Sequence, residues 1–586
     1  LGWAVLGVLT ITWLLAPEIA YALSRPRVRK DLELTASERA SALDYARVHW
    51  RYFDDLATAE THWLIPDNYQ ETPAPIIATR TSPTNIGLQL LATMSARDLG
   101  LITTADMIER LERVLSTIEG MPKVHGHLMN WYDLTDLRVL DPPYVSSVDS
   151  GNLAGHLMAI AVGCTEHGTA TDDELQRLRS IGERARAMAM AMDFTLFYNA
   201  RRRLMSIGYD VRRGMLDEAS YDLLASEARL ASFVAVAKGD VPVEHWFHLG
   251  RTLTTAANAT ALVSWSGSMF EYLMPVLVMA SRPFSLLDQT HRAAVRRQIA
   301  YAVTRGAPWG ISESAYNVRD RHETYQYRAF GVPDLGLKRG LASDMVVAPY
   351  ATALALAVDP HLAMENLAAL AALGALGPYG FYDSVDYTRP DPGMTHAIVR
   401  TFMAHHIGMS IVALDNALHL DDGHGIWQRR FMRDPASRAS SLLLDERVPR
   451  RYTTLPAQAD EPTAALPRPT RARAVVREFD DPDTVEPHVG LLGGQTYCAL
   501  LTNAGGGYSR AGAMDVYRWR ADATKDETGQ WIYVRDIGSG AVWSAAHQPI
   551  RAPASSYRAD FATDRVVYTR VDGSIETRTE IVVVPR

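Results

Sequence analysis

The chain has 586 residues, 47% of them hydrophobic, with a formal net charge of −8 and two cysteines. Its length predicts about three or four domains, or fewer if one of them is a large barrel. The acidic balance and the lack of a long basic tract argue against nucleic-acid binding, and two distant cysteines predict neither a disulfide framework nor a zinc site.

Residues 1–30 combine an apolar run with a basic segment that follows it. The run LGWAVLGVLTITWLLAP carries no charge before Glu18. Four basic residues come next: Arg25, Arg27, Arg29 and Lys30. By the positive-inside rule this order predicts the end of a membrane span whose following chain is cytoplasmic, and a buried N-terminal helix is the alternative. Because the sequence starts at Leu1 and not at Met, we expect it to be part of a longer chain.

Residues 31–445 have the apolar spacing of about a dozen helices. Loops rich in Gly, Pro, Tyr or Trp follow several of them. Paired helices with aromatic and polar loops between them are typical of an (α/α)6 toroid, in which the loops build a pocket at one end. A helical solenoid is the alternative, and the lack of a fixed sequence period argues against it.

The C-terminal part of the chain changes to β character. Residues 446–470 are rich in Pro, Thr and Arg and are predicted to form a linker. From residue 471 onwards, segments such as TYCALLTN, RVVYTRV and SIETRTEIVVV lie between turn residues and predict strands. The fold class is therefore mainly α, a toroid over 31–445 followed by an antiparallel β-sandwich over 471–586, which we expect to continue beyond Arg586.

The segment 307–331 surrounds one carboxylate, Glu313, with aromatic and planar polar residues. Aromatic faces stack on sugar rings, planar polar groups bind ring hydroxyls, and a carboxylate can act as acid, base or nucleophile. A buried aromatic loop with a capped Glu is the alternative. The candidate substrate-binding residues of this segment are Trp309, Tyr316, Asn317, Arg319, Tyr325 and Tyr327.

Five further loops repeat this combination of aromatic residues beside carboxylates or amides, and their shared chemistry is carbohydrate binding. One of them holds Glu227, which begins an apolar helix. Glu227 and Glu271 could instead be N-terminal capping carboxylates. The candidate substrate-binding residues of these loops are Trp131, Asp149, Arg229, Trp265, Glu271, Tyr379, Phe381, Tyr382 and Asp383.

Two histidine pairs, His405 with His406 and His125 with His127, have residue types that bind metals. No nearby Cys or carboxylate completes a recognisable ligand set, so we interpret them as histidines of a helix face or a pocket. His405 and His406 join the candidate substrate-binding residues. No metal, nucleotide or other cofactor is expected.

A series of motifs carries a family resemblance. In chain order they are RTSPTNIGL, NWYD, YVSSVDSGNLAGH, YDLLASEARLASF, SWSGSMFEYLMP, PWGISESAYN, YQYRAFGVPDLGLKRGL, YGFYDSVDYT and MAHHIGMS. Together they closely resemble the glycoamylase-like cyclisation region of cyclic β-1,2-glucan synthases. The later segments TNAGGGYSR, YRWRADATKD and WSAAHQP look like the first sandwich of the glycoside-phosphorylase domain that follows in those synthases.

The resemblance implies a parent protein of three parts. A membrane-embedded glucosyltransferase builds linear β-1,2-glucan from UDP-glucose, the (α/α)6 domain closes it by retaining transglycosylation, and a phosphorylase-like part adjusts chain length. This chain is expected to hold the last membrane segment, the cyclisation domain and the start of the phosphorylase part. The expected location is a bacterial inner membrane with the catalytic domain in the cytoplasm. The expected partners are β-1,2-glucan, the membrane and the remaining domains of the synthase.

Mapped by motif, the catalytic pair of the family falls on Glu227 in SEAR and on Glu313 in SESAYN. The resemblance implies that Glu227 is the acid/base and Glu313 the nucleophile, with Glu271 and Asp383 in reserve. Two other functions remain open from the sequence: an endo-β-1,2-glucanase on the same scaffold, and a non-catalytic β-glucan-binding module.

Overall fold

The computed structural model describes residues 2–24, 32–166, 170–320, 323–449, 452–455, 476–494, 497–517 and 529–583. The chain forms two compact units, Leu1–Pro462 and Thr463–Arg586. The first is mainly helical and the second is built of strands. Much of the expected linker 446–470 lies outside the described residues.

Several helices of the first unit begin at a side chain that caps the first turn. Thr35, Thr103 and Thr171 each accept a hydrogen bond from the backbone three residues later, and an acidic residue there bonds back to the threonine. These capping boxes satisfy backbone N–H groups that a helix start leaves without partners. The helices are Gly2–Ser24, Ala36–Leu56, Pro83–Asp98, Thr104–Gly120, Ser147–Gly163, Asp172–Ala191, Arg229–Lys238, Glu244–His248, Met269–Leu273, Leu286–Arg305, Pro349–Leu354, Pro360–Ala372, Ala404–Leu418, Ile426–Arg433 and Pro435–Ala439.

The helices of this unit lie in an inner and an outer layer. Pro83–Asp98 and Ala404–Leu418 are buried at nearly every position, and they pack against each other. Ser147–Gly163 packs against Pro83–Asp98 and is buried almost as fully. Thr104–Gly120 and Asp172–Ala191 bury a single stripe, as expected of helices with one face in water.

Short strands occupy the loops between the helices. Ser314–Arg319 pairs antiparallel with Tyr325–Arg328, with an irregularity between Tyr316 and Arg319. The remaining short strands are Asn68–Gln70, Ile76–Ile77, Arg80–Thr81, Lys123–Val124, His127–Leu128, Tyr132–Asp133, Tyr144–Ser146, Tyr198–Asn199, Leu204–Met205, Gly208–Asp210, Met215–Leu216, Leu253–Ala256, Ala259–Leu262, Val346–Val347, Leu376–Gly377, Gly380–Phe381, Ser384–Asp386, Ala397–Val399, Thr401–Met403 and Thr454–Leu455.

The second unit contains two four-stranded antiparallel sheets. One consists of Arg477–Phe479, Ser556–Phe561, Arg565–Asp572 and Ile575–Val582, and the other of Val489–Gly493, Tyr497–Thr502, Gly507–Ala511 and Met514–Tyr517. A smaller hairpin joins Tyr533–Arg535 to Val542–Ser544. Leu492 and Leu501 of one sheet share an apolar cluster with Phe561 and Tyr568 of the other. Two sheets packed on one core are the arrangement predicted for this part of the chain.

The N-terminal segment forms the helix Gly2–Ser24, which contains Pro17. Within the described ranges, no helix combines the length and the apolar character that crossing a bilayer requires. The four basic residues after this helix lie outside those ranges. The membrane segment therefore stays a prediction.

Candidate active site

Several predicted site residues lie at the N-terminal ends of buried helices. Asp149 is in the first turn of Ser147–Gly163, Glu227 lies directly before Arg229–Lys238, and His405 and His406 are in the first turn of Ala404–Leu418. The N-terminal end of a helix presents free N–H groups and partial positive charge, which favour carboxylates. Each of these helices thus has candidate side chains at or next to its N-terminal end.

The Glu313 loop is held from two sides. Tyr327, on the strand that pairs with Ser314–Arg319, donates a hydrogen bond from its hydroxyl to Glu313 Oε1 at 3.0 Å. Tyr350 donates its hydroxyl to the backbone carbonyl of Glu313 at 2.9 Å. Gly310 precedes the loop at φ 117°, where an added Cβ would meet Thr352 Oγ1 at 2.8 Å. A side chain at position 310 would therefore strain the turn that presents Glu313.

The electrostatic environment raises the pKa of the Glu313 carboxyl to about 8. Burial is the largest cause, and the charge of Glu227 adds to it. Glu271 and Asp383 raise the pKa further, whereas the hydrogen bond from Tyr327 lowers it. The carboxyl groups from four different segments therefore interact within one region of the helical unit.

Glu227 is half-buried and accepts a hydrogen bond from Ser226 Oγ at 3.1 Å on its Oε2. Burial, followed by the charge of Glu271, raises the pKa of Glu227 to about 7. Like charges that share a desolvated site do not ionise together easily, so the pair of Glu227 and Glu313 keeps a proton near neutral pH. One protonated and one ionised carboxyl are the pair that retaining glycoside chemistry needs.

Glu271 is a structural carboxylate. Its Oε2 accepts hydrogen bonds from the hydroxyls of Ser264, Ser266 and Ser268 at 2.9, 2.6 and 3.0 Å. The backbone N–H groups of Ser266 and Ser268 also donate to it, and it completes the capping box of Met269–Leu273. Glu271 is 7% exposed and its hydrogen bonds hold this loop, and its expected contact with substrate stays a prediction.

Arg229 was also expected to bind substrate, which stays a prediction, and the contacts that the structure shows for it are with protein groups. Its guanidinium is 2% exposed and donates to the backbone carbonyls of Ser226, Glu271 and Tyr272. It also contacts His291 Nε2 at 3.2 Å. Arg229 therefore ties the Glu227 loop to the Glu271 loop from beneath the site.

Asp383 and His406 form a buried pair beside Tyr327. Asp383 Oδ1 lies 2.5 Å from His406 Nδ1, and Asp383 Oδ2 accepts the N–H of Ala315 at 2.6 Å. His406 Nε2 lies 3.2 Å from the Tyr327 hydroxyl. Asp383 thus reaches Tyr327 through His406 and is itself 3% exposed, and its expected contact with substrate stays a prediction.

The expected aromatic binding residues fall into two groups. Trp265 and Tyr327 are 63% and 41% exposed, and the half-buried residues Trp131, Tyr316 and Tyr379 also reach the surface. Trp309, Tyr325, Phe381 and Tyr382 are buried and pack against protein side chains. The first group presents ring surface for stacking on a sugar, and a substrate contact of the second group stays a prediction.

The remaining candidates lie at the edge of the loop or in the pocket. Asn317 donates its amide to the carbonyl of Arg389, and Arg319 is exposed and pairs with Glu323 at 3.3 Å. Asp149 accepts a hydrogen bond from Thr84 Oγ1 at 2.5 Å, and burial raises its pKa. His405 lies beside His406 with ring centroids 4.1 Å apart, and burial lowers its pKa to about 3.

Two tyrosines of the site escaped the sequence reasoning. Tyr350 stacks on the His406 ring at 3.6 Å and holds the Glu313 backbone. It begins an alanine-rich helix, so its surroundings in sequence carry no polar signal. Burial raises the pKa of Tyr221, and the charges of Glu227 and Asp149 add to the shift. Tyr221 opens the motif that contains Glu227, and this proximity was a usable signal.

Within the part of the chain that the structure describes, no group of three or more His, Cys, Asp or Glu could hold a metal ion. His405 and His406 contact Tyr327 instead.

Three family models match parts of the chain. The Glycoamylase family matches residues 220–435, which include Glu227 and Glu313. The supersandwich domain of glycosyl hydrolase family 94 matches 472–586, and a family of unknown function, DUF3131, matches 44–170. The helical site and the β unit thus match two different carbohydrate-enzyme families.

Over 98% of its length the chain is 38% identical to the cyclic beta-(1,2)-glucan synthase NdvB of Rhizobium meliloti. The resemblance to cyclic β-1,2-glucan synthases is confirmed. The chain spans 24% of the length of that synthase, so it corresponds to one segment of a much longer protein.

Solved structures share the fold of the helical unit. An endo-beta-1,2-glucanase from Chitinophaga pinensis, in complex with sophorotriose and glucose, matches with a TM-score of 0.58 and 15% identity, over 70% of this chain and 98% of its own. An endo-beta-1,2-glucanase from Talaromyces funiculosus, in complex with sophorose, gives 0.57 and 12%, over 69% and 89%. At such identities the likeness establishes the fold alone.

Proposed function

We propose that the helical unit is a retaining transglycosylase that closes linear β-1,2-glucan into cyclic β-1,2-glucan, as one part of a cyclic β-1,2-glucan synthase. The observation that carries the proposal is the pair of half-buried, electrostatically linked carboxyls, Glu227 and Glu313. The pair lies in a segment 38% identical to a protein named for this product.

The proposed reaction has two steps. Glu313 attacks the anomeric carbon of an internal glucose while Glu227 protonates the leaving oxygen, and a glucosyl-enzyme forms. Glu227 then removes the proton from the 2-hydroxyl at the non-reducing end of the same glucan. That hydroxyl attacks the anomeric carbon, releases Glu313 and closes the ring.

The surroundings of the two carboxyls support these roles. Tyr327 donates a hydrogen bond to Glu313, which favours the ionised form that a nucleophile requires. Glu227 has a pKa raised to about 7, so it can hold a proton and release it near neutral pH, but the pKa of Glu313 is raised to about 8, so the order of the two values does not assign the roles. From the family motifs and the hydrogen bond from Tyr327, we assign the nucleophile to Glu313 and the acid/base to Glu227.

Ring closure requires that a sugar hydroxyl, and not water, attack the intermediate. Surface rings at Trp131, Trp265, Tyr316 and Tyr379 can supply stacking platforms for the returning end of the glucan. Holding that end near the anomeric carbon raises its effective concentration far above that of a free sugar.

The helix order supports an (α/α)6 toroid for this unit. The proposed inner helices are Pro83–Asp98, Ser147–Gly163, Arg229–Lys238, Met269–Leu273, Pro349–Leu354 and Ala404–Leu418. A helix of the proposed outer ring precedes each of them in the chain: Ala36–Leu56, Thr104–Gly120, Asp172–Ala191, Glu244–His248, Leu286–Arg305 and Pro360–Ala372. Inner neighbours pack on one another, including the last on the first, apart from Arg229–Lys238 and Met269–Leu273, which are linked by hydrogen bonds from Arg229 to the carbonyls of Glu271 and Tyr272. We also propose domain boundaries at 31–445 and 471–586 and a cytoplasmic location of the site beside a bacterial inner membrane. Both rest on the sequence pattern.

Product analysis tests the proposal. The purified chain is incubated with linear β-1,2-glucan, and the expected product is a glucan that has no reducing end. The anomeric configuration, followed by NMR during the first turnovers, should be retained. Glu313→Gln serves as the blank, and equal turnover by this variant would remove the catalytic assignment.

Hydrolysis is the second candidate, because the fold is shared with two endo-β-1,2-glucanases. Shorter linear glucans as the sole products would favour it over ring closure. A third outcome, glucan binding that neither Glu227→Gln nor Glu313→Gln affects and no turnover by any variant, would favour a binding module.

A further inference from the structure

A continuous chain of hydrogen bonds leads from Glu313 to a carboxyl buried away from the pocket. Glu313 Oε1 lies 3.0 Å from the Tyr327 hydroxyl, which lies 3.2 Å from His406 Nε2. His406 Nδ1 lies 2.5 Å from Asp383 Oδ1. The four residues come from separate segments, so this alignment is a product of the tertiary fold.

The inner part of this chain is rigidly held. Asp383 and His406 are each 3% exposed, and the free oxygen of Asp383 accepts the N–H of Ala315 at 2.6 Å. The His406 ring stacks on Tyr350 with ring centroids 3.6 Å apart and an interplanar angle of 12°. Tyr350 also donates to the Glu313 backbone carbonyl, so one tyrosine contacts both Glu313 and His406.

The proton inventory of these groups allows two arrangements. Tyr327 has one hydroxyl hydrogen, and a neutral imidazole has one N–H donor and one nitrogen acceptor. In the first arrangement Asp383 donates to His406, His406 donates to Tyr327, and Tyr327 donates to an ionised Glu313. In the second every bond is reversed, with Asp383 ionised and Glu313 protonated.

The carboxyls at the two ends of the chain compete for one proton, because the pKa of Asp383 is raised to about 7 and that of Glu313 to about 8, in both cases chiefly by burial. Burial also lowers the pKa of His406 well below its usual value, so the imidazole is neutral, and only the first arrangement lets Tyr327 donate to an ionised Glu313. The other titratable groups around the chain are His405 beside His406, Tyr350, Glu227 and Glu271, with Asp67 facing His405.

We propose that Asp383, His406 and Tyr327 are positioning residues that stabilise the ionised form of Glu313, the form that attacks, because a proton held on Asp383 orients the Tyr327 hydroxyl to donate to it. The two arrangements interconvert when three protons move: from Asp383 Oδ1 to His406 Nδ1, from His406 Nε2 to Tyr327 Oη, and from Tyr327 Oη to Glu313 Oε1. The net result is one proton carried from Asp383 to Glu313 and one negative charge carried back. The inference rests on the proposed role of Glu313 as the nucleophile.

The pH dependence of kcat/KM on linear β-1,2-glucan tests the chain. Tyr327→Phe removes the donor to Glu313, and we expect a loss of about tenfold to a hundredfold at neutral pH. Because the ionised form loses a hydrogen bond, the limb on which activity falls with falling pH should move about one unit upwards. An unmoved limb in Tyr327→Phe would overturn the proposal.

Asp383 is tested by two substitutions and a double mutant. Asp383→Ala should lower kcat/KM, and Asp383→Asn should recover most of that loss, because its amide can donate to His406 and accept from Ala315. If Asp383 acts through Tyr327, the double variant Tyr327→Phe/Asp383→Ala should be no worse than Tyr327→Phe alone. The chain would be contradicted if the losses in kcat/KM from the two substitutions add in the double variant. It would also be contradicted if Asp383→Asn has a kcat/KM as low as that of Asp383→Ala.

A matched control is available on the same helix. Asp415 is fully buried and bonds to His419 Nδ1 at 2.7 Å, away from Glu313. Asp415→Asn should leave the acidic limb in place even if it lowers the melting temperature. Glu313→Gln separates the two proposals: turnover equal to wild type would remove the assigned nucleophile, whereas an inactive Glu313→Gln with unshifted Tyr327→Phe would remove the chain alone.

Discussion

The helix Ala404–Leu418 has an Asp–His pair near each end, and the pKa of the histidine is shifted in opposite directions in the two pairs. At its start, His406 bonds to Asp383, which comes from another loop. At its end, His419 bonds to Asp415 of the same helix. The pKa of His406 is lowered well below its usual value by burial, whereas the pKa of His419 is raised, with the hydrogen bond to Asp415 as the largest cause.

Position on the helix and contact with water explain the difference. A protonated imidazole is disfavoured by the positive N-terminal end of a helix and favoured by its negative C-terminal end. His419 is also 37% exposed, so its charged form keeps part of its hydration, whereas His406 is 3% exposed. The same two residue types therefore make a neutral hydrogen-bonded pair at the candidate site and a pair that favours the imidazolium at the other end.

The largest expected effect concerns Glu227 and Glu313, the two carboxyls of the candidate site that the start of this helix faces through His406 and Tyr327. Glu227→Gln should lower turnover of linear β-1,2-glucan by about 10² to 10⁴-fold, because the leaving oxygen no longer receives a proton. A synthetic β-glucoside whose leaving group is an aryl alcohol needs no such proton, because that group leaves as the anion. Its first step should be much less affected, as measured by the burst of released aryl alcohol.

Glu313→Gln is the comparison for that experiment. It removes the nucleophile, so both the turnover of linear glucan and the burst from the aryl substrate should vanish. If Glu227→Gln abolishes the burst of the aryl substrate and Glu313→Gln preserves it, the two roles must be exchanged.

The next largest effect concerns stability near the far end of the helix, where the charge of Asp415 acts on Arg430 of the helix Ile426–Arg433. Arg430 is 2% exposed and pairs with Asp98 at 2.6 Å and with Glu166 at 2.9 Å. Arg430→Met leaves the buried Asp98 with the longer contact to Arg97 at 3.5 Å, and we expect the free energy of unfolding to fall by about 3 kcal/mol. Urea denaturation measures this loss. The pH profile of turnover should not move, and a shifted acidic limb would show that the two ends are not independent.

The smallest expected effect is the contribution of His419 to the free energy of unfolding. Its folded pKa is raised above 6.5, so the stability it contributes is present below pH 6.5 and is lost as pH rises through the folded pKa. Because the ring is more than a third exposed, we expect a difference below about 1 kcal/mol between wild type and His419→Gln. Urea denaturation at a series of pH values measures it. A difference that grows with rising pH would contradict the assigned sign.

Sequence reasoning predicted the helical and β regions because periodicity is local. The spacing of apolar residues in 83–98 and 404–418 is visible in a short window, and so are the alternating strands after residue 471. Glu227 and Glu313 were selected through their aromatic surroundings and through the family resemblance. Their grouping in one region agrees with the prediction, and their catalytic roles remain predictions.

Side-chain direction was not predictable from the sequence. Arg229 and Glu271 lie beside the candidate site in sequence, but they bond to backbone and serine groups below it. Trp309 and Phe381, like Trp265, lie in loops where aromatic residues stand beside carboxylates or amides. They are nevertheless buried, whereas Trp265 is exposed. Tyr350 had no local signal, because its contacts with His406 and Glu313 are formed only in the tertiary structure.

Several candidate side chains lie just before or in the first turn of a buried helix. This placement determines which parts of the pocket can be replaced separately. Each helix contributes a few residues at its start, and the helix behind them supplies a rigid support that does not depend on their identity. Replacing the segment before Arg229–Lys238 leaves the backbone of Ala404–Leu418 in place. The pocket can therefore acquire new binding and reaction properties one segment at a time, without a new core.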